Sequence, residues 1–345
     1  MAARSRRSGT EPRPGRQSLR RSSDLLPGWR RRRRGRGFAY FDARGRPIRA
    51  EEALARIRAL AIPPAYREVW ICPDPQGHLQ ATARDARGRK QYRYHPQWQQ
   101  RRAARKFQRI ARLGRRLPAI RRRLARDLKL KNLPRERVLA AVVTLLDLTG
   151  QRIGGREYLR QNGSYGLTTL CDRHLRDHGR HALLRFRGKS GVEVEVEIDH
   201  PQLLRTLRAC RDLPGDELFQ YQDADGAIRA IGAVEVNEYL RRIAGADFTA
   251  KDFRTWKASV HLLNLLCRER APGSSRRLNA AIKEVACELA HTPAVCRRSY
   301  IDPAVIEAYL AGALESSRPV VYRGLRVAER RYLALIDDAE GSTID

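Results

Sequence analysis

Long apolar runs, paired cysteines and lysine are what this sequence has least of. No stretch of eighteen apolar residues occurs, so no segment is expected to span a bilayer. The first residues are arginine-rich rather than apolar, which argues against a secretory signal; an organellar transit peptide shares that composition and stays open. The six cysteines (Cys72, Cys171, Cys210, Cys267, Cys287 and Cys296) show no two-residue spacing, which fits neither a zinc site nor a disulfide scaffold. Reduced thiols in a cytoplasmic protein are expected. Only eight of the seventy basic residues are lysine. GC-rich coding produces such a bias by itself, yet it makes each lysine informative, because lysine can give up a proton and arginine cannot.

What is present is positive charge on a foldable background. Seventy Lys and Arg against 38 Asp and Glu give a net charge of +32 and a pI near 11.1, while 42% of the residues are apolar. That balance implies a folded protein with a polyanionic partner, nucleic acid before an anionic membrane surface. Residues 1–36 carry thirteen arginines against Glu11 and Asp24, and end in "RRRRRGR". A segment so charged and so poor in apolar residues is expected to be a disordered arm that grips DNA without sequence preference.

From Phe38 to about Trp98 the texture changes. Short apolar runs in "GFAYFDARGRPI" and "REVWICPDPQGHLQATARDARGRKQYRYH" are broken by turn chemistry at "PDPQG" and "DARG", with a short helix in "AEEALARIRALAIPP". Residues 37–98 therefore read as a small, mainly β domain, and 99–345 as a mostly helical one. In the latter, Phe107, Ile110, Leu113, Leu117, Ile120, Leu124 and Leu128 recur at helical steps. A second helix behind Pro134 delivers Arg152 at its end. "ALLRFR" and "VEVEVEI" form a hairpin near 182–198 with Lys189 at its tip. The fold class is α+β.

Candidate chemistry is scattered along the helical part. Metal-free cleavage of a phosphodiester needs a nucleophile, cations around the phosphoryl oxygens, an acid for the leaving oxygen and a further donor. Tyr300 offers the nucleophile, Arg152 and Arg254 the cations, Lys189 the acid and His291 the donor. The Gly154–Gly155 pair would let a phosphate come close to the backbone. "FRGKSG" is not a nucleotide-binding loop, because Leu183 stands where that motif requires glycine. "YQDADGAI" fails as a calcium loop, since Tyr221 takes the first ligand position, and reads as a hairpin turn.

The order Arg, Lys, Arg, His, Tyr resembles that of the type IB DNA topoisomerases, in particular the small poxvirus-like enzymes of bacteria. "AIPPAYREVWICPDPQGHLQATARDARGRKQYRYHP", "NGSYGLTTL", "FRGKSG", "LFQY", "TAKDFRTWKAS" and "HTPAVCRRSYI" carry the resemblance, which runs from Phe38 to about Ala311. It implies a catalytic domain of the tyrosine recombinase and topoisomerase IB type. Tyr300 would form a 3′-phosphotyrosyl link, Arg152 and Arg254 would bracket the phosphoryl oxygens, His291 would donate to one of them and Lys189 would protonate the leaving 5′ oxygen. The residues matching Gln91, Tyr92 and Tyr94 would reach into the DNA major groove. The partner implied is double-stranded DNA, clamped by a monomer in the bacterial cytoplasm on the nucleoid, with no membrane, nucleotide, metal or other cofactor. One departure is Gly155, where the family pattern leads to asparagine. A tyrosine site-specific recombinase shares the residue order, and a non-catalytic basic nucleoid-binding protein would share the charge. The small N-terminal domain and "TAKDFRTW" favour the topoisomerase.

Overall fold

The computed structural model describes residues 18–268, 273–314 and 323–341, in two compact units, Met1–Lys106 and Phe107–Asp345. The units divide eight residues beyond the expected boundary at residue 98. Helix α2 begins at Pro96, and its first turns belong to the N-terminal unit: Trp98 meets His78 edge-on at 4.6 Å, and Arg102 lies over the Tyr94 ring at 5.8 Å.

The N-terminal unit is a five-stranded antiparallel sheet in the order β2-β1-β3-β4-β5 with one helix. Its strands are β1 Trp29–Arg34, β2 Gly37–Phe41, β3 Arg67–Ile71, β4 Leu79–Arg84 and β5 Lys90–Tyr94; α1 is Glu51–Ala59. Residues directly opposite one another across antiparallel strands share a face. One face carries Trp29, Ile71, Ala81 and Ala83, and buries them with Val69 and with Ile57 of α1. The other carries Arg30, Trp70, Thr82 and Tyr92, aligned by successive registers.

Strand β1, sequence WRRRRR, corrects the reading of residues 1–36 as disordered. Residues 18–36 are ordered, while 1–17 lie outside the described residues. The physical reason is that arginine need not be solvated throughout. β1 pairs with β2 over five residue pairs. Arg31 turns to the helix side, lies 4.1 Å over the Phe38 ring, and donates to the carbonyls of Ile62, Pro63 and Tyr66 at 3.1, 3.1 and 2.5 Å. Arg32, on the opposite face, stacks at 5.1 Å over Phe41. Alternation thus hands Arg31 a ring and a set of acceptors on one face and Arg32 an aromatic plane on the other.

The second unit is helical around α3, Arg135–Thr149, whose residues Val138–Leu146 are all buried. Against it pack α5 (Pro201–Arg211), α6 (Ala233–Ala244) and α7 (Ala250–Leu266). The expected hairpin is present as β7 Ala182–Arg187 and β8 Glu193–Ile198, joined on its other side by β6 Leu175–Asp177. "YQDADGAI" forms a hairpin of β9 Gln220–Gln222 and β10 Ile228–Ala230. Helices α4 (Arg156–Asn162), α8 (Ser275–Glu288), α9 (Pro293–Ser299), α10 (Pro303–Leu310) and α11 (Val327–Gly341) complete the elements that frame the site.

Arg31→Ala removes three carbonyl partners and a stacked ring, so local opening of β1 should become easier by about 1–3 kcal/mol. Amide hydrogen exchange in β1 and β2 of the full chain should speed accordingly, whereas Arg33→Ala, at an exposed position, should leave it unchanged. Equal protection in Arg31→Ala and wild type would contradict this account of the arginine strand.

Candidate active site

Helix α3 ends where Gly150 adopts φ +64°, its N–H bonded to the Leu146 carbonyl at 2.9 Å. Glycine takes this left-handed conformation without a Cβ clash. The following loop is pinned by the turn of "NGSYGLTTL": Leu167 N–H donates to the Arg152 carbonyl at 2.9 Å and Thr168 N–H to that of Ile153 at 2.8 Å. Gly154, at φ +85°, lies so close to Gly166 that a Cβ there would sit 2.8 Å from the Gly166 Cα. Gly154 therefore admits another stretch of backbone, which revises its expected role in admitting a phosphate. Gly155 is extended, at φ 177°, and faces open space, so its departure from asparagine leaves the Arg152 loop undisturbed.

Arg254 sits on α7 and is 3% exposed. Its Nη1 donates to the Gly150 carbonyl at 2.8 Å, and its Nη2 to the carbonyl of Leu289. One guanidinium thus ties the end of α3 to the end of α8. Its Nε is buried with no hydrogen-bond partner among the described residues. Burial, then the charge of Arg152, push the Arg254 guanidinium down to about 10, and Tyr300 works in the opposite direction.

His291 follows α8 after Ala290, which has φ +49°. Its Nε2 lies 2.8 Å from Arg152 Nη2. Arginine has only donors, so this ring nitrogen accepts and the imidazole is neutral. Burial, then the charges of Arg152, Arg254 and Lys189, hold His291 down at about 4. Burial likewise lowers Arg152, which Tyr300 and Tyr158 partly offset.

Helix α9 carries the chain from His291 to Tyr300. Thr292 caps it, accepting from Val295 N–H at 3.4 Å, and Tyr300 N–H closes it on Cys296 at 2.9 Å. The seven-residue helix brings the two rings to 4.8 Å, with Arg254 Cζ 5.3 Å from the tyrosine ring. Ser259 of α7 donates to the Tyr300 carbonyl at 3.2 Å and accepts from Asp302 N–H at 3.0 Å. Tyr332 of α11 then donates to Asp302 at 2.8 Å.

Arg152, Arg254, His291 and Tyr300 are thus brought together, and among the described residues none of them pairs with a carboxylate. Lys189 is exposed at the hairpin tip, its Nζ 5.7 Å from the Tyr158 ring centre, and its charge reaches His291. Tyr92 and Tyr94 stack in the N-terminal unit, centroids 6.0 Å apart. Gln91 opposes Ala83 on the other face and donates to Asp85 at 2.9 Å, so it does not stand beside the tyrosines.

Sequence reasoning missed a supporting layer. Lys257 donates to the Leu148 carbonyl at 3.0 Å and lies 3.4 Å from Glu288, which His261 Nδ1 meets at 2.9 Å. Gln151 donates to the Glu288 carbonyl at 3.2 Å. The signal that sequence offered for this layer is that Lys257 is one of only eight lysines and lies three residues beyond Arg254, on a neighbouring stripe of the helix.

Two family models match the chain. The one described as Eukaryotic DNA topoisomerase I, catalytic core, covers residues 95–312, and Bacterial DNA topoisomerase IB, N-terminal domain, covers residues 37–85. A DNA topoisomerase 1B of Acanthamoeba polyphaga mimivirus is 30% identical over 296 residues, which is 83% of this chain and 88% of that protein. The DNA topoisomerase 1B of Vaccinia virus (strain Copenhagen) is 22% identical over 248 residues, 70% of this chain and 75% of its own. Sheet-containing N-terminal unit, helical core and matched length agree, and the chain belongs to the type IB DNA topoisomerases.

Proposed function

We propose that this enzyme relaxes supercoiled double-stranded DNA by cutting one strand transiently, with Tyr300 as nucleophile. The observation that carries the reading is the convergence of two guanidiniums and an imidazole on the Tyr300 ring, with no carboxylate paired to them among the described residues. Such a pocket is completed by an anion, and the scissile phosphate supplies one. The Tyr300 oxygen attacks phosphorus and its proton passes to water. The P–O5′ bond breaks, and Lys189 gives its proton to the leaving oxygen. The product is a 3′-phosphotyrosyl link facing a free 5′-hydroxyl. Religation reverses the step. The ester replaces a diester of similar energy, so no ATP is consumed, and Arg152 and Arg254 carry the charge stabilisation without a metal. Between the two steps the cut strand swivels about the intact one. The enzyme acts as a monomer on the nucleoid of a bacterial cytoplasm.

In the resting site His291 accepts from Arg152. To donate Nε2–H to a phosphoryl oxygen, it must release that contact and move its proton to Nε2. An entering phosphate drives this, because it attracts the guanidinium and offsets the surrounding positive charge that depresses the imidazole.

Purified protein mixed with supercoiled plasmid, in chelator and without ATP, should give a ladder of relaxed circles. Tyr300→Phe should give neither relaxation nor a covalent adduct on a denaturing gel, while DNA affinity stays near wild type. An adduct persisting in this variant would move the nucleophile to another tyrosine.

Lys189→Ala should slow single-turnover cleavage by roughly 10²–10⁴-fold. A substrate with sulfur at the 5′ bridging position should restore the rate, since a thiolate leaves without a proton. Equal defects on both substrates would reduce Lys189 to a positioning role.

His291, held at about 4 against an ordinary 6.5, stays neutral over most of the accessible range. Its 13C NMR resonance in the free protein should be flat from about pH 8 to 5.5 and move as the pH approaches 4. The unfolded chain takes up this proton near 6.5 and the folded one only near 4, so between those values acid destabilises the fold. His291→Asn should flatten that part of the stability profile.

A further inference from the structure

Residues 20–28 form a strap across one face of the N-terminal sheet. It enters at Arg20, whose N–H bonds to the Gln76 carbonyl at 2.9 Å, and Ser22 N–H then meets His78 Nδ1 at 3.0 Å. Asp24 accepts from Thr82 Oγ1 at 2.9 Å and pairs with Lys90 Nζ at 2.5 Å. Trp70 Nε1 donates to the Leu26 carbonyl at 3.0 Å. Gly28 lets the strap cross the indole, since a Cβ there would fall 2.0 Å from Trp70 Nε1. Trp70 and Thr82 are the residues that the register aligns with Tyr92, and Lys90 precedes Tyr92 by two positions on the same strand. The strap therefore lies on the face that presents Tyr92 and Tyr94.

At its crest the strap exposes two leucines. Leu25 is 91% exposed and Leu26 60%, on a tight turn closed by Leu26 N–H on the Ser23 carbonyl at 3.2 Å. The turn is braced through Asp24 and Trp70, so the leucines are held out rather than loosely attached. The cations beside them select the occupant. Arg30 and Arg32 stand on the same face with no carboxylate partner among the described residues, and the one acid of the strap, Asp24, is matched by Lys90. A polyanion is favoured over an apolar or basic partner.

We propose that Leu25 and Leu26 are specificity-determining residues that contact thymine methyl groups in the major groove. The inference rests on the reading of Tyr92 and Tyr94 as groove-facing. Leucine offers neither donor nor acceptor, and the one apolar group that the base edges present in the major groove is the thymine C5-methyl. Arg30 and Arg32 meet the flanking phosphates and hold the turn against the groove, while the leucines favour thymine over cytosine at the positions they cover.

The test uses two duplexes identical except that every thymine of one is deoxyuridine in the other, which deletes only the methyl. Fluorescence anisotropy on the full chain should show wild type binding the thymine duplex more tightly by about four-fold per methyl contacted. The double variant Leu25→Ser, Leu26→Ser should bind both duplexes equally, near the wild-type value for the uridine duplex. Leu25→Met, Leu26→Met should keep the preference, and thermal melting should show all variants folded. A wild type indifferent to the methyl, a serine variant that retains the preference, or one weakened equally on both duplexes would each overturn the proposal. A Tyr92→Ala, Tyr94→Ala variant separates the two layers of the argument. If it loses DNA affinity while the methyl test fails, the groove-facing reading stands and the leucine assignment falls. If it keeps full affinity, both fall.

Discussion

A guanidinium buried with no carboxylate partner among the described residues organises the helical unit. Arg254 spends both terminal nitrogens on main-chain carbonyls, of Gly150 and of Leu289, and so ties the ends of two helices, which Lys257 and Gln151 also bridge through Glu288. Each end begins a loop that supplies a candidate catalytic side chain, Arg152 on one and His291 on the other. Carbonyl dipoles engage the two terminal nitrogens but leave Nε without a partner among the described residues and do not cancel the charge. The site is left with surplus positive charge around a guanidinium shielded from water, which is costly while no anion offsets it.

The same surplus explains the state of the neighbouring groups. The histidine is held neutral first by burial and then by the charges of two arginines and a lysine. In the absence of an anion it serves as acceptor for Arg152, which keeps that guanidinium from swinging to solvent. In the proposed working arrangement that contact is released and the proton sits on Nε2. The tyrosine is positioned from behind, through Ser259, Asp302 and Tyr332, so its backbone is set by α7 and α11 as well as by its own short helix. Stability and chemistry share α7: Arg254 faces the site, and Trp256, two residues on, packs against Tyr332 with ring centroids 5.2 Å apart.

The N-terminal unit treats the same residue type in the opposite way. Its arginines lie on a strand, where alternation sends Arg31 among carbonyls and Arg30 and Arg32 to the face of the paired tyrosines. Charge that reads as a uniform block along the sequence is thereby divided between the two faces of the sheet, with Arg31 taken up by the fold and Arg30, Arg32 and Arg33 left exposed.

Much of the architecture was legible because it depends on short-range pattern. Seven apolar residues at helical steps marked α2, strict alternation marked β8, and glycine at the tip of the hairpin located Lys189. The nine-residue step from His291 to Tyr300 was legible too, since one short capped helix fixes both ends. By itself the sequence determined the elements, the strongly basic character and the residue types able to attack and stabilise a phosphate. Only the tertiary structure decided that Gly154 makes room for Gly166, that Gln91 faces away from Tyr92, and that five consecutive arginines form a strand. Each of these turns on which surface a side chain or backbone atom meets across the fold. That information lies in partners eight to thirty-five residues away along the chain, and in no local composition.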